Sequence, residues 1–357
     1  MARMGVIMAV RDGAPFVGEA VESVLAQEFS DWEMVVVDDG SSDETPEILA
    51  GFTDPRIRVI RTESVGRAAA RNRALEVLDT PWIAILDGDD RMRPDRLGRQ
   101  AAFLEAHPEV DVLATPVTQV DPQGRVLGRL DPPAGHEAIL RALEVENCLS
   151  HPSCALRAEA LKGAGGYREA FPFAQDYDLW LRLAENGARF AVLPEPLTFY
   201  RVHEASASEG KREIQRAYSA LARACRRARR RGEPEPLPVS REELFRIARR
   251  DWSFHLGVGR WHSRQGRWGK GLARAAHCLR LGGWRFPGAW RFLAVALLPP
   301  FARNLLRRML KKRNDLPFQA SLPAGGEPGE EIHEHQKTDP DSLSRLPRPD
   351  SASAVVR

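Results

Sequence analysis

Two hydrophobic runs that each stop at a block of aspartates constrain this chain more than any other feature. The first is Val35-Val36-Val37-Asp38-Asp39-Gly40-Ser41-Ser42, and the second is Trp82-Ile83-Ala84-Ile85-Leu86-Asp87-Gly88-Asp89-Asp90. Short aliphatic and β-branched runs halted by Asp and Gly predict buried strands of a parallel sheet that end in loops. Open α/β sheets bind their ligands at the carboxyl ends of such strands. The carboxylates of Asp38, Asp39, Asp87, Asp89 and Asp90 would repel one another there unless a cation or a hydroxyl-rich ligand shared the pocket. A divalent metal bridging a diphosphate to the protein meets that demand.

The flanking sequence supports repeated βαβ units. Strands are expected at Gly5–Val10, Trp32–Val37, Ile57–Arg61 and Trp82–Leu86, with helices at Pro15–Ala26, Pro46–Gly51 and Gly66–Leu78 between them. Thr45 before Pro46 has the chemistry of an N-cap followed by Pro at the first helical position. A helix over Pro94–Ala106 follows, then a strand over Val110–Val120, a turn at Asp121-Pro122-Gln123-Gly124 and a strand at Arg125–Leu130. Asp176–Asn186 reads as a helix stopped by Gly187, followed by strands Ala188–Leu193 and Leu197–Val202. Residues 205–210 are small and polar, as lids are. A basic helix Lys211–Arg231, a Pro-rich linker 232–238 and a Trp- and Arg-rich helical stretch 240–313 complete the ordered part, and disorder is expected beyond Asn314.

Charge divides the chain sharply. Residues 1–210 carry 21 Lys and Arg against 35 Asp and Glu (net −14), residues 211–313 carry 27 against 6 (net +21), and residues 314–357 carry 4 against 8 (net −4). An acidic part followed by a very basic one predicts separate roles. The cysteines (Cys148, Cys154, Cys225, Cys278) lack the paired spacing of a zinc site or a disulfide framework, which suits a reducing cytosol. Met1-Ala2-Arg3-Met4-Gly5 leads into a strand without the long apolar stretch of a signal peptide, so none is expected, and no apolar stretch reaches the roughly 18 residues a membrane helix needs.

Several segments resemble the family-2 inverting glycosyltransferases of GT-A fold. Asp38-Asp39-Gly40-Ser41-Ser42-Asp43-Glu44-Thr45 is similar to that family's Asp-Asp-Gly-Ser-x-Asp-x-Thr. Gly66-Arg67-Ala68-Ala69-Ala70-Arg71-Asn72 is similar to its Gly-x-x-x-Ala-Arg-Asn helix start, and Asp87-Gly88-Asp89 to its Asp-x-Asp metal motif. Gln175-Asp176-Tyr177-Asp178-Leu179-Trp180-Leu181-Arg182-Leu183 matches the segment holding the base, and Tyr200-Arg201-Val202-His203 a Tyr-Arg-x-His segment. Residues 4 to 203 carry the resemblance. Ala9-Val10-Arg11-Asp12 departs from the family's Pro-x-Tyr-Asn, and Gln175 stands where many members carry an acid. Gln265-Gly266-Arg267-Trp268 is one residue short of the processive members' Gln-x-x-Arg-Trp and reads as chance.

The resemblance implies a mixed, mainly parallel α/β sheet of Rossmann-like GT-A type over 1–210, to which charge and composition add a basic helical extension over 211–313 and a disordered tail over 314–357. It implies a nucleotide-sugar donor, with UDP expected, bound by Ala9, Val10, Asp38, Asp39, Arg67, Arg71, Asp87 and Gly88. Mg²⁺ or Mn²⁺ would be held by Asp89, with Asp87 and His203 as further candidates, since hard carboxylates suit cations that complete their shell with phosphates. Asp176 would be the general base that deprotonates the acceptor hydroxyl on the face opposite the leaving phosphate. The plainer readings are a polar turn for Asp-x-Asp, a helix cap for Asp38, Asp39 and Asp176, a solvated helix face for Arg67, and a structural imidazole for His203. Asp178 is expected to pair with Arg182, and His151 and Ser153 are weaker candidates for the acceptor side. The charge run Arg226–Arg231 suggests a solvated or phosphate-facing helix.

The leading expectation is therefore a metal-dependent inverting glycosyltransferase acting on a glycan or lipid-linked acceptor in surface-polysaccharide synthesis. It would be cytoplasmic and peripheral at the inner face of the membrane, where the basic helices meet anionic headgroups. The rivals are an inactive scaffold and a nucleic-acid-binding module built on the basic, Trp-containing segment. The spacing of Trp252, Trp261, Trp268, Trp284 and Trp290 among Leu, Ala and Phe suits a small core better than base stacking, so no specific nucleic-acid partner is expected.

Overall fold

The computed structural model describes residues 3–203, 212–238, 240–264 and 268–281. Strands β1 (Met4–Val10), β2 (Trp32–Asp38), β3 (Ile57–Arg61) and β4 (Trp82–Ile85) all run parallel, in the spatial order β4-β1-β2-β3. The chain thus lays strands outward from β1, then returns to β1's other side, which creates a topological switch point at the carboxyl ends of β1, β2 and β4. The sheet extends past β4 through β9 (Ala155–Arg157), β6 (Val112–Ala114) and β10 (Phe190–Val192). Of these, β9 is antiparallel to both its neighbours, so the sheet is mixed but mainly parallel. A second sheet has the order β5 (Arg91–Met92), β11 (Thr198–Arg201), β7 (Val117–Val120), β8 (Val126–Leu130).

Period-two alternation assigns side chains to the two faces of the large sheet. Met4, Val6, Met8 and Val10 of β1 point to the core beneath α1 (Val17–Leu25), α2 (Thr45–Ala50) and α4 (Arg96–Ala106), together with Trp32, Met34 and Val36 of β2. Ile7, Val35, Val37, Ile83 and Ile85 point the other way. That second core holds α3 (Arg67–Val77), α5 (His136–Leu143), α6 (Ala158–Gly163) and α7 (Gln175–Glu185). It also takes in α8 (Arg212–Arg231), whose Ala217, Tyr218, Ala220, Leu221, Ala222 and Cys225 pack beside Tyr177, Trp180 and Leu181. The sequence boundary at 210 therefore cuts across one continuous core.

Three local expectations are corrected. The strand expected over 110–120 is two strands, broken at Thr115-Pro116: β6 joins the large sheet and β7 the small one, because Pro cannot donate to a continuing ladder. Thr45 is the first residue of α2 and not its cap; Asp43 accepts from the Thr45 N–H at 3.0 Å, while Thr45 Oγ1 accepts from the Gly13 N–H at 2.8 Å. Finally, Arg226 and Arg229 of α8 are not phosphate-facing: they turn onto Glu144, Glu185 and Glu235 of the acidic part. Arg223 is buried against Asp251 just before α10 (Trp252–Arg264), and Glu235 in the Pro-rich linker also receives Arg168. Charge opposition between the two sequence regions is thus partly spent on docking them. The helical stretch continues through α9 (Arg241–Ala248), α10 and α11 (Trp268–Arg280). The lid expected at 205–210, the helix expected beyond 281 and the tail expected from 314 lie outside the described residues.

Candidate active site

The loops after β1 and β2 are fastened to each other before any ligand arrives. Asp12, in the left-handed region at φ 51°, accepts from the Ser42 N–H at 2.8 Å, and its own N–H donates to Ser41 Oγ at 2.9 Å. Asp38 accepts from the Ser41 N–H at 3.0 Å with Arg61 3.6 Å from its other oxygen. Asp39 is buried and clamps the loop after β3: one oxygen accepts from Thr62 Oγ1 at 2.9 Å and the Val65 N–H at 2.6 Å, the other from the Gly66 N–H at 2.9 Å. A carboxylate offers about four acceptor directions, so roughly one remains on Asp39. Gly40 permits this close approach, since at φ +70° its absent Cβ would lie 2.8 Å from the Ser64 nitrogen.

Behind β1, Val10 turns its side chain into the core under Gly88, where an added Cβ would meet Val10 Cγ2 at 2.9 Å. The backbone carbonyl of Val10 accepts from the Asp39 N–H at 2.8 Å, so neither its side chain nor this carbonyl faces a nucleotide freely. Ala9 is half-buried.

The second acidic block divides its aspartates among three tasks. Asp87 receives the buried Arg71 guanidinium at 2.8 Å. Burial alone would raise the Asp87 pKa, but Arg71 and then His151 and Arg67 oppose it and hold the carboxyl below its usual range. The Nη1 of Arg71 is buried with no hydrogen-bond partner among the described residues. Asp89 stays partly open and meets His203, at the end of β11, with Oδ2 and Nε2 3.0 Å apart. Asp90 is buried and accepts from the Arg201 N–H at 2.8 Å; burial and the charges of Asp89 and Asp87 push its pKa well up. Arg201, also buried, donates to the Asp89 carbonyl at 2.9 Å and to Glu19 at 2.8 Å, joining the loop that carries Asp87 and Asp89 to α1.

Asp176 lies in the first turn of α7, where the helix dipole favours an anion. Ala174, at φ 55°, swings the chain into that turn. Burial raises the Asp176 pKa, opposed by the Tyr177 N–H, the Asn147 side chain at 2.6 Å and the Arg71 charge. Arg67, at the start of α3, is exposed, yet its guanidinium feels Asp87, Asp89 and Asp176 together; desolvation and then Arg71 lower its pKa. His151 is buried 2.9 Å from the Tyr167 hydroxyl, and burial brings its pKa down to about 3, so it is neutral. Asp178 pairs with Arg182, as its four-residue spacing predicts, and also with Arg168.

Asp87, Asp89, Arg67, Arg71 and Asp176 are therefore one electrostatic neighbourhood, while Asp38 and Asp39 organise the adjoining loops. Asn147, Tyr167 and Arg201 were missed from sequence: a lone Asn and Tyr carry no motif, and Arg201 was noted only as part of the Tyr-Arg-x-His segment. Among the described residues, no group of three or more His, Cys, Asp or Glu side chains is placed to hold a metal.

Comparison with known proteins settles the family. The sequence profile described as glycosyl transferase family 2 matches residues 5–163. The putative glycosyltransferase EpsE of Bacillus subtilis is 35% identical over 210 residues, covering 57% of this chain and 74% of EpsE. An uncharacterized glycosyltransferase of Methanocaldococcus jannaschii is 31% identical over 205 residues, covering 56% of this chain and 70% of the relative. The chain belongs to glycosyl transferase family 2. It is a glycosyltransferase, and inversion is consistent with that family. The O-antigen biosynthesis glycosyltransferase WbnJ of Escherichia coli is 29% identical over 208 residues, covering 57% of this chain and 81% of WbnJ. Among solved structures, residues 1–349 of S. aureus TarS superpose with a TM-score of 0.51 at 20% identity, covering 86% of this chain and 92% of that one. The fold is GT-A. These relatives match little more than half of this chain, whereas the structural likeness spans most of it.

Proposed function

We propose that this glycosyltransferase moves a sugar, with inversion, from a nucleoside diphosphate, UDP foremost, to a glycan or lipid-linked acceptor in surface-polysaccharide synthesis. The observation that carries the reading is the convergence of Asp176, poised in the first turn of α7, with the Arg71–Asp87 pair and Asp89. In this reading Asp39 spends its remaining acceptor direction on the nucleoside. Arg71, fixed by Asp87, and the exposed Arg67 bind the diphosphate, the buried Nη1 of Arg71 supplying a donor that has no hydrogen-bond partner among the described residues. The related TarS has been crystallised with UDP and with UDP-GlcNAc, which supports UDP as the first donor to try.

The donor set suits a divalent cation. Asp89 and His203 bring a carboxylate oxygen and an imidazole nitrogen together on partly accessible side chains, and so short a protein ligand list suits Mg²⁺ or Mn²⁺ completed by phosphates and water. When bound, such a cation supplies Lewis-acid stabilisation to the departing diphosphate. Asp87, engaged by Arg71, orients that guanidinium. Asp176 takes the proton of the acceptor hydroxyl; its raised pKa strengthens it as a base, and it needs no covalent intermediate. Outside the site, Arg230, Arg231, Arg241, Arg246, Arg249 and Arg250 are exposed and would meet an anionic membrane surface, Arg230, Arg231 and Arg246 also pairing there with Glu144, Glu233 and Glu243.

A panel of nucleotide sugars, scored for nucleotide release and for protection against melting, tests the donor class. Asp176→Asn should cut transfer on the order of 10²-fold or more while donor protection persists. Wild-type turnover in that variant would place the base elsewhere.

A further inference from the structure

The turn after α5 carries a residue that the family motifs do not include. Asn147 Nδ2 donates to Asp176 Oδ2 at 2.6 Å, while Asn147 Oδ1 accepts from the Leu149 N–H at 3.4 Å. The second contact fixes which way the amide faces: a flipped amide would set oxygen against oxygen at Asp176. The turn is itself braced against α7. The Tyr177 hydroxyl, one residue after Asp176, donates to the Leu143 carbonyl at the end of α5 at 2.5 Å, and it receives Arg223 of α8 at 3.3 Å. Arg223 is in turn held by Asp251 at 2.9 and 3.1 Å. A chain of buried contacts therefore runs from the C-terminal helices to the backbone that presents Asn147.

We propose that Asn147 is a positioning residue for Asp176, its amide fixing the carboxylate's rotamer toward the acceptor and holding it in the ionised, proton-accepting form. The inference rests on Asp176 being the base. Asn147 acts among several groups: Arg71 and Arg67 on α3, Asp87 after β4, Tyr167 before α7, Cys154 before β9 and the Tyr177 N–H all face Asp176. Arg71 and the two hydrogen bonds favour the carboxylate, while burial and Asp87 favour the acid. Burial wins on balance, and the Asn147 bond is one of the contacts that oppose it, since ionised acceptors hold their donors about twice as strongly as neutral ones.

The sign follows directly. Asn147 stabilises the charged form, so its loss moves the Asp176 titration to higher pH. Asn147→Asp, nearly isosteric, adds a second carboxylate and moves it further in the same direction. The experiment uses the full chain labelled with ¹³C at aspartate carboxyls, with the Asp176 resonance identified by its absence in Asp176→Asn. Titration of wild type, Asn147→Ala and Asn147→Asp is expected to give midpoints rising in that order. UDP release from UDP-N-acetylglucosamine with Mn²⁺ should fall on the order of tenfold at pH below the new midpoint in Asn147→Ala and recover towards higher pH. Midpoints unchanged in both variants overturn the inference, including when activity drops equally at every pH, which is the mark of a merely structural residue. The base reading fails separately: UDP release surviving in Asp176→Asn removes it whatever the midpoints show.

Discussion

Replacing Asp251 by Asn should reveal whether the basic helices belong to the same cooperative unit as the nucleotide-binding sheet. Asp251 accepts two bonds from Arg223, at 2.9 and 3.1 Å, with both side chains buried, and a longer one from Arg227 at 3.3 Å. It also accepts from the Ser253 and Phe254 N–H groups at 3.0 and 3.2 Å, at the start of α10. The Arg223 guanidinium outweighs burial and holds the Asp251 carboxyl far below the usual carboxylate range. Asn preserves the shape and one oxygen but strands a buried cation, a loss of about 3–5 kcal/mol. For a domain of this size that corresponds to a fall in Tm of roughly 6–20 °C. The contribution of Asp251 is complete above its unfolded pKa of about 4 and is lost as pH drops towards the depressed folded value, so the gap between wild type and variant should narrow only in acid. The control is the exposed pair Arg73–Glu76, where Glu76→Gln should cost no more than about 0.5 kcal/mol. Thermal unfolding followed by circular dichroism at pH 7 reads both variants. A change in Tm within about 2 °C for Asp251→Asn, or a separate early transition with the main one unmoved, would refute the shared core.

Gly40→Ala should destabilise by about 1–2 kcal/mol, because Ala is strained at that positive φ and its Cβ meets the Ser64 backbone; urea unfolding measures it, and a neutral result would mean that the loop moves away freely. The same variant should weaken UDP binding, since Asp39 and the 62–66 loop shift together. Flotation with anionic vesicles should show binding that declines with added salt, carried by Arg230, Arg231, Arg246, Arg249 and Arg250. Absence of binding at low salt would remove the membrane surface as a partner.

The sheet was legible in the sequence because β1, β2 and β4 are nearly uninterrupted aliphatic runs, the mark of strands covered on both faces. Pro116 was the visible signal for the break between β6 and β7, and the shift from Val-Leu-Ala to the half-polar Val-Thr-Gln-Val accompanies the change of sheet. The short β5, β9 and α6 had no pattern long enough to register, whereas α5 does carry a helical signal, Ile139 and Leu143 four apart, that lay between the turn-rich segments around it. Charge misled most. The arginines of α8 follow one another as a solvated run would, and only the fold shows Arg223, Arg226 and Arg229 meeting Asp251, Glu144, Glu185 and Glu235 from distant segments. At the site, resemblance marked Asp39, Arg71, Asp87, Asp89 and Asp176, yet the division of labour among them is a property of geometry. Asp87 binds Arg71 while Asp89, two residues on, meets His203.

The most direct test of the donor site needs no acceptor. UDP titrated calorimetrically into the wild-type chain in the presence of Mn²⁺, and again after chelation, reports whether cation and nucleotide bind as one unit. Asp89 and His203 offer a cation too few ligands without phosphates, and the acidic loops repel phosphates without a cation. Affinity should therefore be at least tenfold higher with Mn²⁺, and Asp89→Ala should bring the Mn²⁺ value down to the chelated one. Equal affinity for UDP with and without the metal would contradict the assignment.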